Sequence, residues 1–349
     1  MVAIQENVAL APLTTLGVGG AARYFATAHT PEEAVEALGW ARQRNVVVFL
    51  LGGGSNLVVS DAGFAGLVLH VAIGGVTVRD ESGQRVYSVG AGVEWDAFVS
   101  HAVADNAAGV ECLSGIPGSV GATPVQNVGA YGQEVAQSIQ RVEAIALDSF
   151  QPVTFNRDDC AFRYRHSRFN SADAGRYLIT RVDFALIPNG APRLAYADLQ
   201  RHFADVLSEN KMPSLSDVRQ AVLTIRGRKG MVIDENDPDS RSAGSFFRNP
   251  VVSIAQYQRI ADAASEPVPH FDAAPGQVKL AAAWLIEHAG LRRGFTMGDA
   301  AISGKHTLAL VNRGHASAAD VIHLRDHIQR RVYERFAVEL EPEPVLLGF

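Results

Sequence analysis

The chain has 349 residues, of which 47% are hydrophobic and 19% charged, and its formal net charge at pH 7 is -6. This length predicts two or three domains whose cores need no disulfide or metal to hold them. The negative charge disfavours binding to nucleic acid or to an anionic membrane, because no diffuse positive field surrounds such a chain.

The sequence predicts a cytoplasmic protein. The amino terminus carries neither a basic region nor a continuous apolar run, and no segment reaches the roughly 20 apolar residues that a membrane span needs. Cys112 and Cys160 lack metal-ligand spacing and are too few for a disulfide scaffold. We therefore expect two buried thiols in a reducing compartment, and no metal site.

Three consecutive glycines, Gly52–Gly54, lie between two short apolar runs, Val46–Leu51 and Leu57–Val59. The β-branched residues of these runs predict two strands joined by a tight turn. This placement argues against a Rossmann-type dinucleotide fingerprint, whose glycines must open a helix. Consecutive glycine N–H groups suit a phosphate or pyrophosphate, with a plain turn between strands as the alternative.

Helix and strand signals continue along the rest of the chain. Thr30 and Glu33, with Pro31 between them, form a capping box that predicts the start of a helix. A similar signal at Ser317 and Asp320 predicts a long helix near the end. The other predicted elements are strands at 85–89, 142–147, 178–186 and around 308–311, and helices from 95, from a cap at Ser216 to Gly227, and over Lys279–His288. The last third is thus predicted to be helical with one strand pair.

The segment from Leu113 to Glu134, LSGIPGSVGATPVQNVGAYGQE, contains five glycines among small and apolar residues. The apolar residues of this segment follow neither the helical nor the strand periodicity. A long glycine-rich loop inside a compact domain is usually functional or disordered, and its apolar residues favour packing. We predict a loop whose backbone lies close to a large ligand.

Three further features have two interpretations each. Arg163, Arg165 and Arg168 are either a solvated basic patch or, at Arg165, a planar fork for a carboxylate. Ser245 follows a glycine, and such a serine is more often a turn residue than a catalyst. Glu343 is one of three carboxylates that alternate along the C-terminal segment, a pattern typical of an edge strand with its carboxylates outward.

Taken together, the motifs resemble the UDP-N-acetylenolpyruvoylglucosamine reductases, the MurB family of flavoenzymes of bacterial peptidoglycan precursor synthesis. The resemblance extends essentially from end to end. Its carriers are TTLGVGG from Thr14, LGGGSNLVVSD from Leu51, the glycine-rich segment from Leu113, FRYRHSRF from Phe162, SAGSFFRNP from Ser242, KLAAAWLIEHAG from Lys279, KHTLALVN from Lys305 and LEPEP from Leu340.

The resemblance implies an α+β fold of the FAD-binding PCMH or vanillyl-alcohol-oxidase-like type. Two subdomains, 1–72 and 73–213, would hold the cofactor, and a C-terminal α+β domain, 214–343, would bind the substrate. The tail, 344–349, would be able to pack back on the first subdomain.

The resemblance also implies the cofactor contacts. Gly52, Gly53, Gly54, Ser55 and Asn56 would hold the FAD pyrophosphate, and a second group would line the opposite side of the cofactor, namely Gly118, Ser119, Gln126 and Asn127. Many proteins of the wider fold bind flavin covalently through a histidine beside the first glycine loop. Ser55 and Asn56 occupy that place here, so we expect noncovalent FAD, with NADPH as cosubstrate.

The family's catalytic positions match Arg165, Ser245 and Glu343. Arg165 and Glu343 would polarise the substrate carboxylate, and Ser245 would protonate the enol-like intermediate on carbon. Tyr196 matches the tyrosine that one subclass of the family moves over the sugar-nucleotide diphosphate. Lys229 and Asn249 would help to bind the nucleotide, and His306 receives no definite role.

The implied reaction is the NADPH-dependent reduction of UDP-N-acetylglucosamine enolpyruvate to UDP-N-acetylmuramate, by a monomer acting in cell wall biogenesis and hence in cell shape and division. Two alternatives stay open. A flavin-dependent sugar or alcohol oxidase of the same fold would leave Arg165, Ser245 and Glu343 unexplained. A non-catalytic sugar-nucleotide-binding protein would be expected to lack one of the three.

Overall fold

The computed structural model describes residues 2–349, which form two compact units. The first unit contains the residues up to 8, Ala22–Gly54 and Ala65–Arg228. The second contains Ala9–Ala21, Ser55–Phe64 and Lys229–Phe349. The predicted domain boundaries at residues 72, 213 and 343 stay a prediction.

The helices and strands are numbered here in chain order. The α-helices are α1 (Pro31–Gln43), α2 (Trp95–Ala104), α3 (Ala197–His202), α4 (Ala204–Ser208), α5 (Leu215–Arg228), α6 (Ile254–Ala263), α7 (Ala282–His288) and α8 (Ala318–Phe336). The strands are β1 (Gln5–Ala9), β2 (Ala21–Ala28), β3 (Val48–Leu51), β4 (Leu57–Val59), β5 (Phe64–Val71), β6 (Val76–Glu81), β7 (Gln84–Gly90), β8 (Ala107–Ala108), β9 (Gly129–Ala130), β10 (Gln133–Glu134), β11 (Ile139–Ala146), β12 (Pro152–Asn156), β13 (Tyr177–Pro188), β14 (Ser242–Ser245), β15 (Val251–Ser253), β16 (His270–Asp272), β17 (Gln277–Leu280), β18 (Thr296–Met297), β19 (Ala300–Ile302), β20 (Ala309–Asn312) and β21 (Val345–Leu347). Within residues 2–349 no helix combines the length and apolar character needed to cross a membrane.

The first unit is built on two sheets. One has the strand order β1-β2-β5-β3, and the other has the order β12-β11-β13-β7-β6, with β8 paired to β13. Behind the second sheet, Trp95 and Phe98 of α2 pack on Phe184 of β13, with ring centroids 5.7 and 4.8 Å from it. Because this aromatic core holds α2 in place, the N-terminus of α2 can support the glycine-rich segment that packs against it.

The second unit combines three distant parts of the chain. Its antiparallel sheets have the orders β14-β20-β19-β18 and β15-β17-β16, and β21 pairs in parallel with β4. The core gathers Leu16, Val18 and Val58 with Phe246 and Phe247, all nearly inaccessible to solvent. The two N-terminal segments of this unit, Ala9–Ala21 and Ser55–Phe64, therefore contribute residues to its core.

Both predicted capping boxes correspond to helix starts. Thr30 Oγ1 accepts a hydrogen bond from Glu33 N–H at 3.2 Å, although Glu33 returns its carboxylate to His29 N–H and not to Thr30. In α8, Ser317 accepts from Asp320 N–H at 3.1 Å, and Asp320 accepts from Ser317 N–H at 2.9 Å. The prediction of these two helix starts is confirmed.

Three other predictions of secondary structure were wrong. Gln277–Leu280 form a strand and α7 begins only at Ala282, because Lys279 lies between Val251 and Phe271 in the three-stranded sheet. The cap of α5 is Ser214, whose hydroxyl accepts from Asp217 N–H at 3.1 Å; Ser216 lies within the helix. The last third contains two antiparallel sheets and not one strand pair.

Candidate functional site

The Gly52–Gly54 turn follows β3 and lies against the glycine-rich segment within the first unit. A Cβ atom on Gly53 would come within 2.6 Å of Gly118 Cα, and one on Gly52 within 2.5 Å of Ser119 Oγ. A side chain is thus excluded at Gly53, one at Gly52 would have to displace the Ser119 hydroxyl, and Gly54 adopts a φ of +62°. The two glycine loops predicted to line one cofactor are in direct backbone contact.

Backbone hydrogen bonds hold the glycine-rich segment to the region around the start of α2. Val120 N–H donates to Val93 O at 2.9 Å, and Trp95 N–H donates to Gly118 O at 3.0 Å. The segment contains a short 3₁₀ turn over Val120–Ala122 and the small β9–β10 hairpin. Apart from Leu113, which ends a 3₁₀ turn begun at Glu111, the segment has no other helix or strand among the described residues, which agrees with the predicted loop.

Charged side chains hold Gly115 through both its N–H and its C=O. Asp96 Oδ1 accepts from Gly115 N–H at 2.6 Å, and Arg226 Nε donates to Gly115 O at 3.3 Å. Arg219 donates to both oxygens of Asp96, at 2.6 and 2.8 Å. Burial by itself would raise the pKa of Asp96, but the hydrogen bonds from Arg219 and Gly115 outweigh it, so the pKa is lowered.

The sequence reasoning missed Asp96, Arg219 and Arg226 because no motif joins them. Asp96 and Arg219 are 123 residues apart, and each is an ordinary polar residue of an amphipathic helix. The available signal was weak: Asp96 is the only acidic residue in the first turn of α2.

The glycine loops of the first unit fit the phosphate groups of FAD. A pyrophosphate needs backbone N–H donors that no side chain shields, and Gly52, Gly53 and Gly118 leave the backbone bare where the loops meet. Ser119 is buried beside them. Gln126 is half-buried, and Asn127 is buried with a φ of +46°. The individual cofactor contacts of all these residues stay predictions.

Ser55 and Asn56 belong to the second unit. Asn56 Nδ2 donates to Glu343 O at 3.3 Å, and Val345 N–H donates to Asn56 O at 3.0 Å. The C-terminal segment therefore fixes the residue that directly precedes β4.

Arg165 lies at the tip of a closed turn in the first unit. Arg163 and His166 exchange both backbone hydrogen bonds, at 2.9 and 3.0 Å, so Tyr164 and Arg165 form the two-residue loop. Arg165 adopts a φ of +53°, and its guanidinium donates to Gly129 O at 2.8 Å. The turn thus presents this guanidinium beside the glycine-rich segment.

The three neighbouring arginines differ in their surroundings. Arg168 is structural: it donates to Asp173 and to Asp159 O, and it covers the ring of Phe155 at 4.4 Å. Arg163 is exposed to solvent, whereas Arg165 is half-buried. The segment therefore does not form a uniformly solvated basic patch.

In the second unit, Ser245 ends β14 and is half-buried. Gly244, just before it, has a φ of +75°, and the register of β14 against β20 shifts between Ser242 and Ser245. Phe246, just after it, donates to Leu308 O at 2.7 Å and accepts from Glu343 N–H at 2.9 Å. The backbone of Glu343 is thereby held beside the end of β14, and its side chain is half-buried rather than fully outward.

The predicted substrate-binding residues lie in both units. Tyr196, 43% exposed, precedes α3 and packs edge-on against Tyr131 with ring centroids 5.3 Å apart. In the second unit, Asn249 Oδ1 accepts from Ala282 N–H at 2.9 Å and so caps α7, while Lys229 is half-buried at the start of its segment. His306 accepts from Leu308 N–H at 3.3 Å. The roles of Tyr196, Lys229 and Asn249 in binding stay predictions.

Comparison with known proteins gives two family matches in this chain. Residues 22–148 match the family described as FAD binding domain. Residues 237–347 match the family described as UDP-N-acetylenolpyruvoylglucosamine reductase, C-terminal domain.

Full-length relatives are similar over nearly the whole chain. The UDP-N-acetylenolpyruvoylglucosamine reductase of Mycobacterium sp. (strain MCS) is 46% identical over 349 residues, covering 99% of this chain and 96% of the relative. That of Thermobifida fusca (strain YX) is 43% identical, with 98% of each chain covered. Among solved structures, UDP-N-acetylenolpyruvylglucosamine reductase (MurB) from Thermus caldophilus matches over 100% of both chains, with a TM-score of 0.66 and 27% identity.

Proposed function

The chain belongs to the UDP-N-acetylenolpyruvoylglucosamine reductase (MurB) family, and we propose that it catalyses the NADPH-dependent reduction of UDP-N-acetylglucosamine enolpyruvate to UDP-N-acetylmuramate, with FAD as cofactor. The observation that carries the proposal is the presence of an FAD binding domain and the reductase C-terminal domain in one chain that aligns with its relatives from end to end. The fold is accordingly an α+β architecture with an FAD-binding part and a C-terminal domain of this family.

When bound and reduced by NADPH, FAD supplies the hydride that adds to the enolpyruvyl double bond. The backbone N–H groups of Gly52, Gly53 and Gly54 would hold its pyrophosphate, with Gly118 and Ser119 on the loop packed against them. Ser55 and Asn56 stand where covalent flavoproteins of the wider fold carry a histidine, so the cofactor is noncovalent in this proposal.

Arg165 is proposed to bind the substrate carboxylate. Addition of hydride leaves negative charge that spreads from the adjacent carbon into the carboxylate. A planar guanidinium can donate to both carboxylate oxygens and stabilises this charge as it develops. Support comes from the turn that holds Arg165 at its tip, half-buried, beside the glycine-rich segment.

Ser245 is proposed to donate the proton that completes the product. Its Oγ would deliver the proton to the carbon that carries the carboxylate, and Glu343 would steady the enol form. A serine hydroxyl is a weak acid in water, so the role requires an environment that excludes solvent. The buried Phe246 and Phe247 beside Ser245, and the backbone hydrogen bond from Glu343 N–H to Phe246 O, support this assignment.

The remaining proposals concern the substrate and the cell. Tyr196, Lys229 and Asn249 would bind the UDP-sugar, and the exposure of Tyr196 agrees with the subclass whose tyrosine moves over the diphosphate. We further infer a cytoplasmic monomer with no nucleic acid or membrane partner. The net charge of -6 supports the absence of nucleic acid and anionic membranes as partners.

An anaerobic visible absorption spectrum tests the function. The flavin bands should bleach with NADPH and return only when UDP-N-acetylglucosamine enolpyruvate is added. Bands that bleach but recover with oxygen, and not with the enolpyruvyl substrate, would favour an oxidase. A protein that cannot be reconstituted with FAD would contradict the assignment of both glycine loops.

A further inference from the structure

We propose that Asn127 and Glu134 are positioning residues that fix the guanidinium of Arg165 relative to the glycine-rich segment. The inference rests on the proposed role of Arg165 in binding the substrate carboxylate. It assigns the side chain of Asn127 to the arginine turn and not to the cofactor.

The turn that carries Arg165 needs support from outside. An arginine with a φ of +53° is in a left-handed conformation that costs about 1–2 kcal/mol relative to the right-handed one. Such a residue persists only where its surroundings determine its conformation. The two backbone bonds between Arg163 and His166 close the turn, but they do not connect it to the rest of the unit.

Asn127 supplies that connection at the base of the turn. Its Nδ2 donates to Arg163 O at 3.0 Å and to Glu134 Oε2 at 2.9 Å, while its Oδ1 accepts from Ala136 N–H at 3.1 Å. Both amide hydrogens of the side chain are therefore used within the protein. At 1% exposure, Asn127 has no free donor to offer to a ligand.

Glu134 connects Asn127 to the hairpin strand that contacts Arg165. It lies opposite Gly129 in the β9–β10 hairpin, whose turn residues Tyr131 and Gly132 have φ values of +49° and +81°. Gly129 O accepts the hydrogen bond from the Arg165 guanidinium at 2.8 Å. The base of the turn is thus tied to Asn127, and its tip to the hairpin that carries the partner of Asn127.

Two further contacts keep the chain after the turn in place. Ser167 Oγ donates to Val125 O at 2.6 Å, and Asn170 Nδ2 donates to Arg165 O at 3.2 Å. These contacts do not reach Arg163. Removal of the Asn127 side chain leaves these two contacts in place but releases the base of the turn, together with Glu134 and Ala136 N–H, and we expect the orientation of the guanidinium to change.

The test uses the FAD-loaded enzyme with Asn127→Gly, because glycine adopts a positive φ without strain. Three quantities are measured: the dissociation constant for FAD by flavin fluorescence, the rate of flavin reduction by NADPH, and the rate of reoxidation by the enolpyruvyl substrate. We expect reoxidation to slow about tenfold, since a small misplacement of a binding group has effects of this order. The other two quantities should stay within about twofold of the parent, because Asn127 does not act on the cofactor.

The decisive comparison is a double-mutant cycle with Arg165→Ala. If Asn127 acts through Arg165, Asn127→Gly should slow reoxidation less than about twofold once Arg165 has been replaced. An equal loss in both backgrounds, or FAD binding weakened about tenfold, would overturn the inference and leave the role of Arg165 intact. A normal reoxidation rate in Arg165→Ala alone would contradict the proposed function itself, and the inference with it.

A second pair of variants covers the case in which Asn127→Gly does not fold. Asn127→Asp keeps the acceptor for Ala136 N–H but places a carboxylate against Glu134, so we expect slower reoxidation at unchanged FAD affinity. Adding Glu134→Gln supplies an amide donor to the new carboxylate and should recover part of the rate. Glu134→Gln alone should be nearly normal, since the glutamine oxygen still accepts from Asn127. No recovery in the double variant would count against the proposed contribution of the hydrogen bond between Asn127 and Glu134.

Discussion

Arg165 and Ser245 are held in place in different ways. The arginine is in a two-residue turn that side chains of Asn127, Ser167 and Asn170 connect to the surrounding loops. The serine ends a strand next to Phe246, whose N–H and C=O are both used in backbone pairing to neighbouring segments. A strand position depends on the main chain, which any residue supplies, whereas a turn held by side chains depends on particular residues.

This difference has a consequence for mutation. Substitution at Ser245 should change chemistry while the strand keeps its geometry. Substitution around Arg165 should change geometry, because the hydrogen bonds that connect the turn to the surrounding loops belong to side chains. Four substitutions test this difference, and we expect their effects on activity or cofactor binding to decrease from the first to the last.

Ser245→Ala should give the largest loss. We expect turnover to fall at least ~10²-fold, the size typical of removing a general acid, with flavin binding and reduction by NADPH unchanged. Stopped-flow absorbance of the flavin measures both half-reactions separately. Ser253→Ala, which removes only the cap that accepts from Gln256 N–H, is the matched control and should turn over normally. Two normal half-reactions in Ser245→Ala would exclude the serine as donor.

Gly53→Ala tests a place where the first unit depends on close backbone contact. The added Cβ would lie 2.6 Å from Gly118 Cα, so the two loops must separate. Overpacking of about 1–3 kcal/mol corresponds to FAD binding that is weaker by about five- to 150-fold. Titration of the apoprotein with FAD measures it.

The control for this variant is Gly39→Ala in α1, where a Cβ meets nothing within 4 Å. It should bind FAD normally and raise the free energy of unfolding by about 1 kcal/mol, because alanine favours a helix over glycine. Normal FAD affinity in Gly53→Ala would mean that the loop contact does not shape the cofactor site.

Arg165→Lys separates charge from geometry. An ammonium keeps the positive charge but cannot make two parallel hydrogen bonds to a carboxylate, so we expect kcat/KM for the enolpyruvyl substrate to fall about tenfold or more. Steady-state kinetics with NADPH in excess measures the ratio. Arg163→Lys, two residues earlier and exposed, should stay within about twofold of the parent. Equal losses in both variants would indicate a general effect of the basic segment.

Asp96→Asn should have the smallest effect on turnover and a measurable one on stability. Loss of the charged partner of Arg219 and Gly115 should lower the free energy of unfolding by about 2 kcal/mol at pH 7. Because the pKa of Asp96 is lowered in the folded state, its contribution is complete above the unfolded pKa near 4 and is lost as the pH falls through the folded value.

The difference between Asp96→Asn and the parent should therefore shrink as the pH is lowered from about 5 towards 3. Urea unfolding at several pH values measures the change. Arg201→Gln, which breaks an exposed pair with Asp198, is the control and should change stability by less than about 1 kcal/mol. A difference that does not vary with pH would show that the carboxylate charge is not what stabilises the loop.

Local signals in the sequence were sufficient for many of the elements. The capping boxes at Thr30 and Ser317 mark helix starts because their hydrogen bonds join residues three apart. The three glycines after β3 indicated a turn between strands, and the segment at 113–134 indicated a long packed loop. In each case the information lies within a few residues of the feature.

Other features could not be predicted because they depend on distant parts of the chain. Lys279 lies in a strand only because Val251 and Phe271 flank it, and its own neighbours in sequence resemble a helix. The clamp on Gly115 joins residues more than a hundred positions apart. The roles proposed for Arg165, Ser245 and Glu343 depend on family resemblance, since the residue types alone are compatible with a basic patch, a turn and an edge strand.

The pairing of β21 with β4 can form only late in the synthesis of the protein. Asn56 and Glu343, which join these segments, are separated by 287 residues in the chain. While the ribosome is still adding residues, Leu57–Val59 have been made but lack their partner strand. The second unit can therefore complete this pair only after translation has passed Leu347, and until then an apolar strand edge is open to chaperones or to other nascent chains.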